Sequence, residues 1–240
     1  MSLLVRRAML LAAGRGERLR PLTDSVPKPL IRLAGKPLID HVLDRLLAAG
    51  IRELVVNSHH LADQIEAHVA GWRDVDLRIS REEELLETGG GVKRALPLLK
   101  DELFFVLNAD SFWLDGPIPA LHRLQRSFDP ERMDVRLLLA RSVAAHGYAG
   151  PGDYFVQSDG RLAYRKPGEV VPFVFATASL MHRRALEDMP DGAFSLKRAW
   201  DAAEARGRLF GLVHDGPWFH VTTPDDLVEN ERLLAEKRLA

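Results

Sequence analysis

Residues 103–110, LFFVLNAD, restrict the fold more than any other stretch of this chain. The run is continuous, apolar, aromatic and β-branched, and it closes on a carboxylate. A strand without a polar face is buried on both sides, which calls for a sheet covered by helices above and below. The neighbouring segments supply those helices. Leu38–Ala49 places Leu38, Ile39, Val42, Leu43, Leu46 and Leu47 at the three-and-four spacing of a helix with one buried face, and Gly50 is a suitable stop.

Strand and helix signals then alternate. Strands are expected at 8–11, 53–58, 75–80, 103–110 and 134–142, and helices at 38–49, 61–72, from just after Gly91 to about 99, and at 118–128. This order predicts an α/β fold: a Rossmann-like, mostly parallel sheet with helices on both faces. Past residue 145 short alternating runs around Ser158-Asp159-Gly160 predict a small β-rich insertion, a hairpin or sheet edge. Further strands are expected at 173–182, 209–215 and 218–221. A helix over 195–207 has Ser195 as its N-cap, and a last helix has Thr223 as cap and Pro224 in its first turn. With 240 residues, no repeat and no low-complexity linker, the expectation is one domain over 1–240, with a first half to about 110 and a second from 111.

Composition narrows the function. The net charge of −1 provides no global field for nucleic acid. The absence of cysteine excludes disulfides, thiolate metal sites and cysteine nucleophiles. No apolar run approaches the roughly 20 residues of a membrane span. The run Ala8–Ala13 is short for a signal peptide and leads directly into a glycine motif, so the expected location is cytoplasmic.

That motif is LLAAGRGERLRPLTDSVPKPL, residues 10–30. It is not a Rossmann turn, because Leu19 stands where the third small residue belongs, and GKP at 35–37 is not a P-loop. From Gly14 to Pro29 it carries Arg15, Arg18, Arg20 and Lys28 against Glu17 and Asp24, a local excess of +2. Backbone N–H groups that glycine leaves uncovered, beside a cluster of cations, suit a polyphosphate.

The stretch resembles the signature of the sugar-1-phosphate nucleotidyltransferases: Gly14, Gly16, Arg18, Pro21 and Pro27-Lys28-Pro29 in order. The resemblance extends through LAGKPLIDHVLDRLLAAGI and LNADSFW over nearly the whole chain. It implies a nucleotide-diphospho-sugar transferase fold and transfer of a nucleotidyl group from an NTP to a sugar 1-phosphate, releasing pyrophosphate. It further implies that Ala12, Ala13, Gly14, Arg15, Gly16 and Glu17 hold the triphosphate. Arg18 would bind the leaving pyrophosphate, Lys28 the reacting phosphates and Asp110 a magnesium ion. Thr88, Gly89 and Gly90, in LETGGG, would meet the base. That segment looks most like the subgroup that uridylylates N-acetylmuramate 1-phosphate in peptidoglycan recycling, making UTP the expected nucleotide. Mannose-1-phosphate guanylyl transfer and glucose-1-phosphate thymidylyl or uridylyl transfer are the alternatives. A nucleotide-sugar binding protein without turnover is the alternative of another class.

On the sugar side the resemblance implies Asn108, Gly152, Asp153, Lys166 and Thr177, although Thr177 occupies a usual glycine position and Arg165 replaces a usual Glu. His59 and His60 follow the second strand and are either near the base or structural. The late segment WFHVTTPDDL departs from the family's W-x-D-V-G-T: His220 replaces the second metal-binding Asp and Thr222 the glycine. Imidazole is a poor magnesium ligand. Either Asp110 and substrate phosphates hold magnesium without His220, or His220 favours manganese, or the chain is catalytically weak; the first is the reading adopted. The expected partners are thus an NTP and a sugar 1-phosphate, with no nucleic acid or membrane; oligomeric state is left open.

Overall fold

In the computed structural model, residues 5–110 and 112–238 are described; Ser111 of LNADSFW lies outside them. The elements in chain order are β1 (Arg7–Leu11), β2 (Arg32–Leu33), β3 (Lys36–Pro37), α1 (Leu38–Ala48), β4 (Glu53–Ser58), α2 (Ala62–Val69), β5 (Asp76–Arg81) and α3 (Glu87–Leu99). Then follow β6 (Leu103–Asn108), β7 (Phe112–Trp113), α4 (Ala120–Arg126), β8 (Val135–Arg141), β9 (Tyr154–Val156) and β10 (Leu162–Tyr164). The last are β11 (Phe173–His182), α5 (Lys197–Ala205), β12 (Leu209–Val213), β13 (Trp218–Phe219) and α6 (Pro224–Arg238).

β5, β4, β1 and β6 lie side by side and parallel, as the strand–helix alternation predicts. β11 then runs antiparallel to both β6 and β8, β8 pairs in parallel with β12, and the β9–β10 hairpin adds an edge. The sheet is therefore mixed beyond β6. β1 is followed by β4 and β5 on one side, whereas β6 returns to its other side. That reversal makes the carboxyl ends of β1 and β6 a topological switch point, where open α/β sheets leave a crevice.

Period-two alternation divides the core. Ala8, Leu10, Phe105 and Leu107 face one layer with Ile39, Val42 and Leu46 of α1, Ile65 of α2 and Leu124 of α4. Met9, Phe104 and Val106 face the other with Val92, Ala95 and Leu99 of α3 and Ala199 of α5. A third cluster, including Ile31, Leu33, Phe112, Phe219, Val221 and Leu234, packs the β2–β3 and β7–β13 ribbons against α6.

Local details correct several expectations. β6 ends at Asn108, so Asp110 sits in the following turn. α3 begins at Glu87, ahead of the expected start after Gly91, and includes all three glycines. Close packing explains this: a Cβ on Gly90 would lie 2.2 Å from the Gly192 carbonyl oxygen, and one on Gly89 would strike the Phe194 ring. Ser195 is not the N-cap of α5, whose cap position is Leu196; the Leu196 N–H donates instead to Thr88 Oγ1 at 2.9 Å. The α6 start is as expected, with Asp226 N donating to Thr223 Oγ1 at 3.2 Å while Asp226 Oδ2 accepts from Thr222 N and Thr223 N. At Thr177 the backbone has φ +63, which explains why a glycine suits that position: it marks a register shift in the β11–β8 pairing.

Candidate active site

The register of the central strands builds the site. Leu11, the last residue of β1, lies opposite Asn108 of β6 on one side and Asn57 of β4 on the other. The chain leaves β1 as the glycine loop, while the Ala109 N–H donates to the Leu11 carbonyl and carries β6 alongside it. Asp110 is thereby brought up against the loop.

The loop itself is shaped by Gly16. Its φ of +64 is left-handed, and a Cβ there would come within 2.9 Å of Lys28 Cβ and 3.0 Å of Thr23 Cγ2. Only glycine meets both demands without strain. Thr23 Oγ1 donates to the Gly16 carbonyl at 3.0 Å, which closes the loop upon itself. Lys28 follows Pro27 and opens a short 3-10 turn, Lys28–Leu30. Its Nζ reaches Asp110 Oδ2 at 2.6 Å. Arg15 and Arg18 are exposed and form no ion pair among the described residues.

These groups line one cleft with two lobes. The larger, about 600 Å³, is bordered by Gly14, Arg15, Gly16, Glu17, Arg18, Lys28, Asp110 and Thr222. The smaller, about 380 Å³, is bordered by Asn57, Leu85, Glu87, Thr88, Asn108 and Ser195. Leu11, Gly14, Leu85 and Asp110 belong to both. The basic lobe suits a polyphosphate, and the adjoining, less polar lobe suits a flat group.

Other predicted residues lie elsewhere. Gly89 and Gly90 are buried, and both N–H groups donate to the Phe194 carbonyl; of the three base-side residues only Thr88 borders the cleft. Gly152, Asp153, Lys166 and Thr177 border neither lobe. Asp153 Oδ2 accepts from Phe175 N at 2.9 Å, pinning the hairpin to β11. The Gly152 N–H donates to Tyr148 Oη at 3.0 Å, and the Tyr148 ring meets that of His220. Lys166 is exposed, and the Arg165 guanidinium lies over the Tyr164 ring. His59 and His60 hold backbone carbonyls, of Glu82 and Thr23.

His220 stacks on Trp218. Its Nδ1 lies 3.3 Å from the Gly147 carbonyl, which can only accept, so Nδ1 carries the proton. Thr222 Oγ1 lies 2.6 Å from Nε2 and 3.2 Å from Nδ1, packed against the ring. Burial holds the imidazole below its ordinary pKa; the Gly147 carbonyl opposes this, and the Lys28 and Arg18 charges add to it. The His220 ring thus packs against Thr222, which borders the cleft, and itself borders neither lobe. Among the described residues no three histidine or acidic side chains gather into a metal cage. One carboxylate facing a polyphosphate site still fits magnesium, which commonly takes one or two carboxylates plus substrate oxygens.

Two buried residues escaped the sequence reading. Asn57 Oδ1 accepts from Ala12 N at 2.7 Å, and its Nδ2 donates to Glu82 Oε1 at 2.7 Å. Glu82 Oε2 accepts from Leu86 N at 3.0 Å. The pair joins the glycine loop to the segment before α3. The one sequence hint was a polar residue at the end of an apolar strand.

Similarity to known proteins identifies the family. The family model described as Nucleotidyl transferase matches residues 7–148. The chain is 43% identical to an N-acetylmuramate alpha-1-phosphate uridylyltransferase of Caulobacter vibrioides, covering 97% of this chain and 96% of that one. It is 34% identical to a protein of the same name from Neisseria meningitidis serogroup B, over 95% and 97%. A UDP-glucose pyrophosphorylase solved with UDP-glucose shares the fold at TM-score 0.77 and 15% identity, over 98% of this chain and 100% of that chain. The chain belongs to the Nucleotidyl transferase family.

Proposed function

We propose that the protein transfers a uridylyl group from UTP to N-acetylmuramate 1-phosphate, giving the UDP-sugar and pyrophosphate. The observation that carries the reading is the convergence of the Gly14–Arg18 loop, Lys28 and Asp110 on one cleft at the switch point of the sheet. The near full-length likeness to two relatives of that name supports the choice of substrates.

The chemistry needs no protein nucleophile. A non-bridging oxygen of the sugar phosphate attacks the α-phosphorus, and the bond from that phosphorus to the α–β bridging oxygen breaks, so pyrophosphate leaves with the electron pair. The phosphate monoester is largely ionised at neutral pH, its second pKa being about 6. The residues therefore align and neutralise charge. Backbone N–H groups of the glycine loop and the Arg18 fork hold the β and γ phosphates. Lys28 releases Asp110 and turns to the reacting phosphates. Asp110, together with substrate oxygens, would hold magnesium, which would supply further neutralisation of the triphosphate. Thr88 and the 85–88 backbone lie where the base enters. Residues up to about 110 form the nucleotide half and those beyond it the sugar half. The reaction is assigned to the cytoplasm, where nucleoside triphosphates are available.

The test is pyrophosphate release across a matrix of NTPs and sugar 1-phosphates with magnesium or manganese. Release with UTP and N-acetylmuramate 1-phosphate is expected. Release with GTP and mannose 1-phosphate but not UTP would overturn the substrate choice, and no release with any pair would overturn the enzyme reading.

A further inference from the structure

We propose that Asn57 and Glu82 form a positioning pair that sets the spacing between the phosphate loop and the base-side segment, and so governs nucleotide affinity. This rests on the nucleotide-site reading above. Both side chains are buried, Asn57 at 2% exposure and Glu82 at 3%. The Glu82 carboxylate makes no ion pair among the described residues and is held by neutral donors, from Asn57 Nδ2 and the Leu86 N–H. α3 is shaped around the pair: a Cβ on Gly91 would lie 2.7 Å from Glu82 Oε1 and 2.8 Å from Asn57 Nδ2. A buried carboxylate bridging two segments is costly to keep unless their separation matters. Here one end holds Ala12 N, where the phosphate loop begins, and the other holds Leu86 N, in the segment that borders the smaller lobe.

The chain of bonds has a direction. Ala12 N–H donates to Asn57, Asn57 donates to Glu82, and Leu86 N–H donates to Glu82 from the other side. Only a carboxylate at 82 accepts both donors. Glu82→Gln therefore turns an NH₂ group toward one N–H donor while preserving shape. Asn57→Asp sets two carboxylates against each other. The double variant N57D/E82Q restores every bond with the middle link reversed. The amide introduced at position 82 donates to the carboxylate introduced at position 57 and accepts from the Leu86 N–H, while that carboxylate still accepts from the Ala12 N–H.

The experiment measures the Kd for UTP by calorimetry, together with the KM for each substrate, in the wild type, both single variants and the double. Each single variant is expected to weaken UTP by about 10- to 100-fold, the scale of one lost charge-assisted hydrogen bond. The sugar-phosphate KM should stay near wild type, and the double variant should recover most of the loss. Folded single variants with UTP affinity within about two-fold of wild type would overturn the proposal. So would a folded double variant no better than the worse single. A wild type that binds UTP but turns over no sugar phosphate would overturn the proposed reaction and leave this inference open to the same affinity test.

Discussion

Lys28 Nζ and Asp110 Oδ2 stand 2.6 Å apart at the junction of the two lobes. They come from segments far apart in the chain, and each is held by its own backbone: Lys28 by the turn after Pro27, Asp110 by the Ala109–Leu11 hydrogen bond. Each charge keeps the other in place, and on the proposed mechanism the incoming phosphates replace that contact. Removing either leaves the partner without its counter-charge and, on the proposed mechanism, takes one electrostatic contact from the transition state. Lys28→Ala and Asp110→Asn are each expected to lower kcat by about 10²–10³-fold, with the melting temperature little changed. Pyrophosphate-release assays beside thermal melts check this, and a loss of less than about ten-fold in both would contradict it.

The two loop glycines should respond differently. A Cβ on Gly14 meets nothing within 4 Å, whereas Gly16 combines left-handed φ with close approach to Lys28 and Thr23. Gly16→Ala is expected to cost about 1–2 kcal/mol of stability. Gly14→Ala should leave stability within about 0.5 kcal/mol but raise the UTP KM, because its methyl group enters the cleft. Chemical denaturation of both variants separates them, and equal destabilisation would refute the assignment.

His220 stacks on Trp218, packs against Thr222 and borders neither lobe of the cleft. His220→Ala should therefore lower activity by less than about ten-fold and leave the ratio of magnesium- to manganese-supported rates unchanged. A shift in that ratio would show that the imidazole acts as a ligand.

Four histidines make stability depend on mild acid. His41, His182, His214 and His220 are all held below their ordinary pKa, with burial the largest cause in each. Below the unfolded value the denatured chain binds more protons than the native one, so stability falls as pH drops from about 7 and continues to fall until the native imidazoles protonate. A lower melting temperature at about pH 5.5 than at about pH 7.5 is expected, and an equal or higher one would refute it.

Short-range pattern was enough for the framework. Hydrophobic spacing located β1, α1, β4 and β6 to within a few residues, because each buries a face whose period is written in local sequence. The loop from Gly14 to Lys28 was legible for a similar reason: its conformational demands and its charges lie within one short stretch. Three-dimensional packing determined the remainder. Whether Gly89 and Gly90 meet a base or seat a helix depends on Phe194 and Gly192, about a hundred residues away. The roles of Asp153 and His220 depend on Phe175 N and the Gly147 carbonyl, and the link between Asn57 and Glu82 exists only once β4 and β5 lie side by side. Hydrogen bonds between distant segments leave no periodic trace in a chain; their partners are chosen when the sheet assembles.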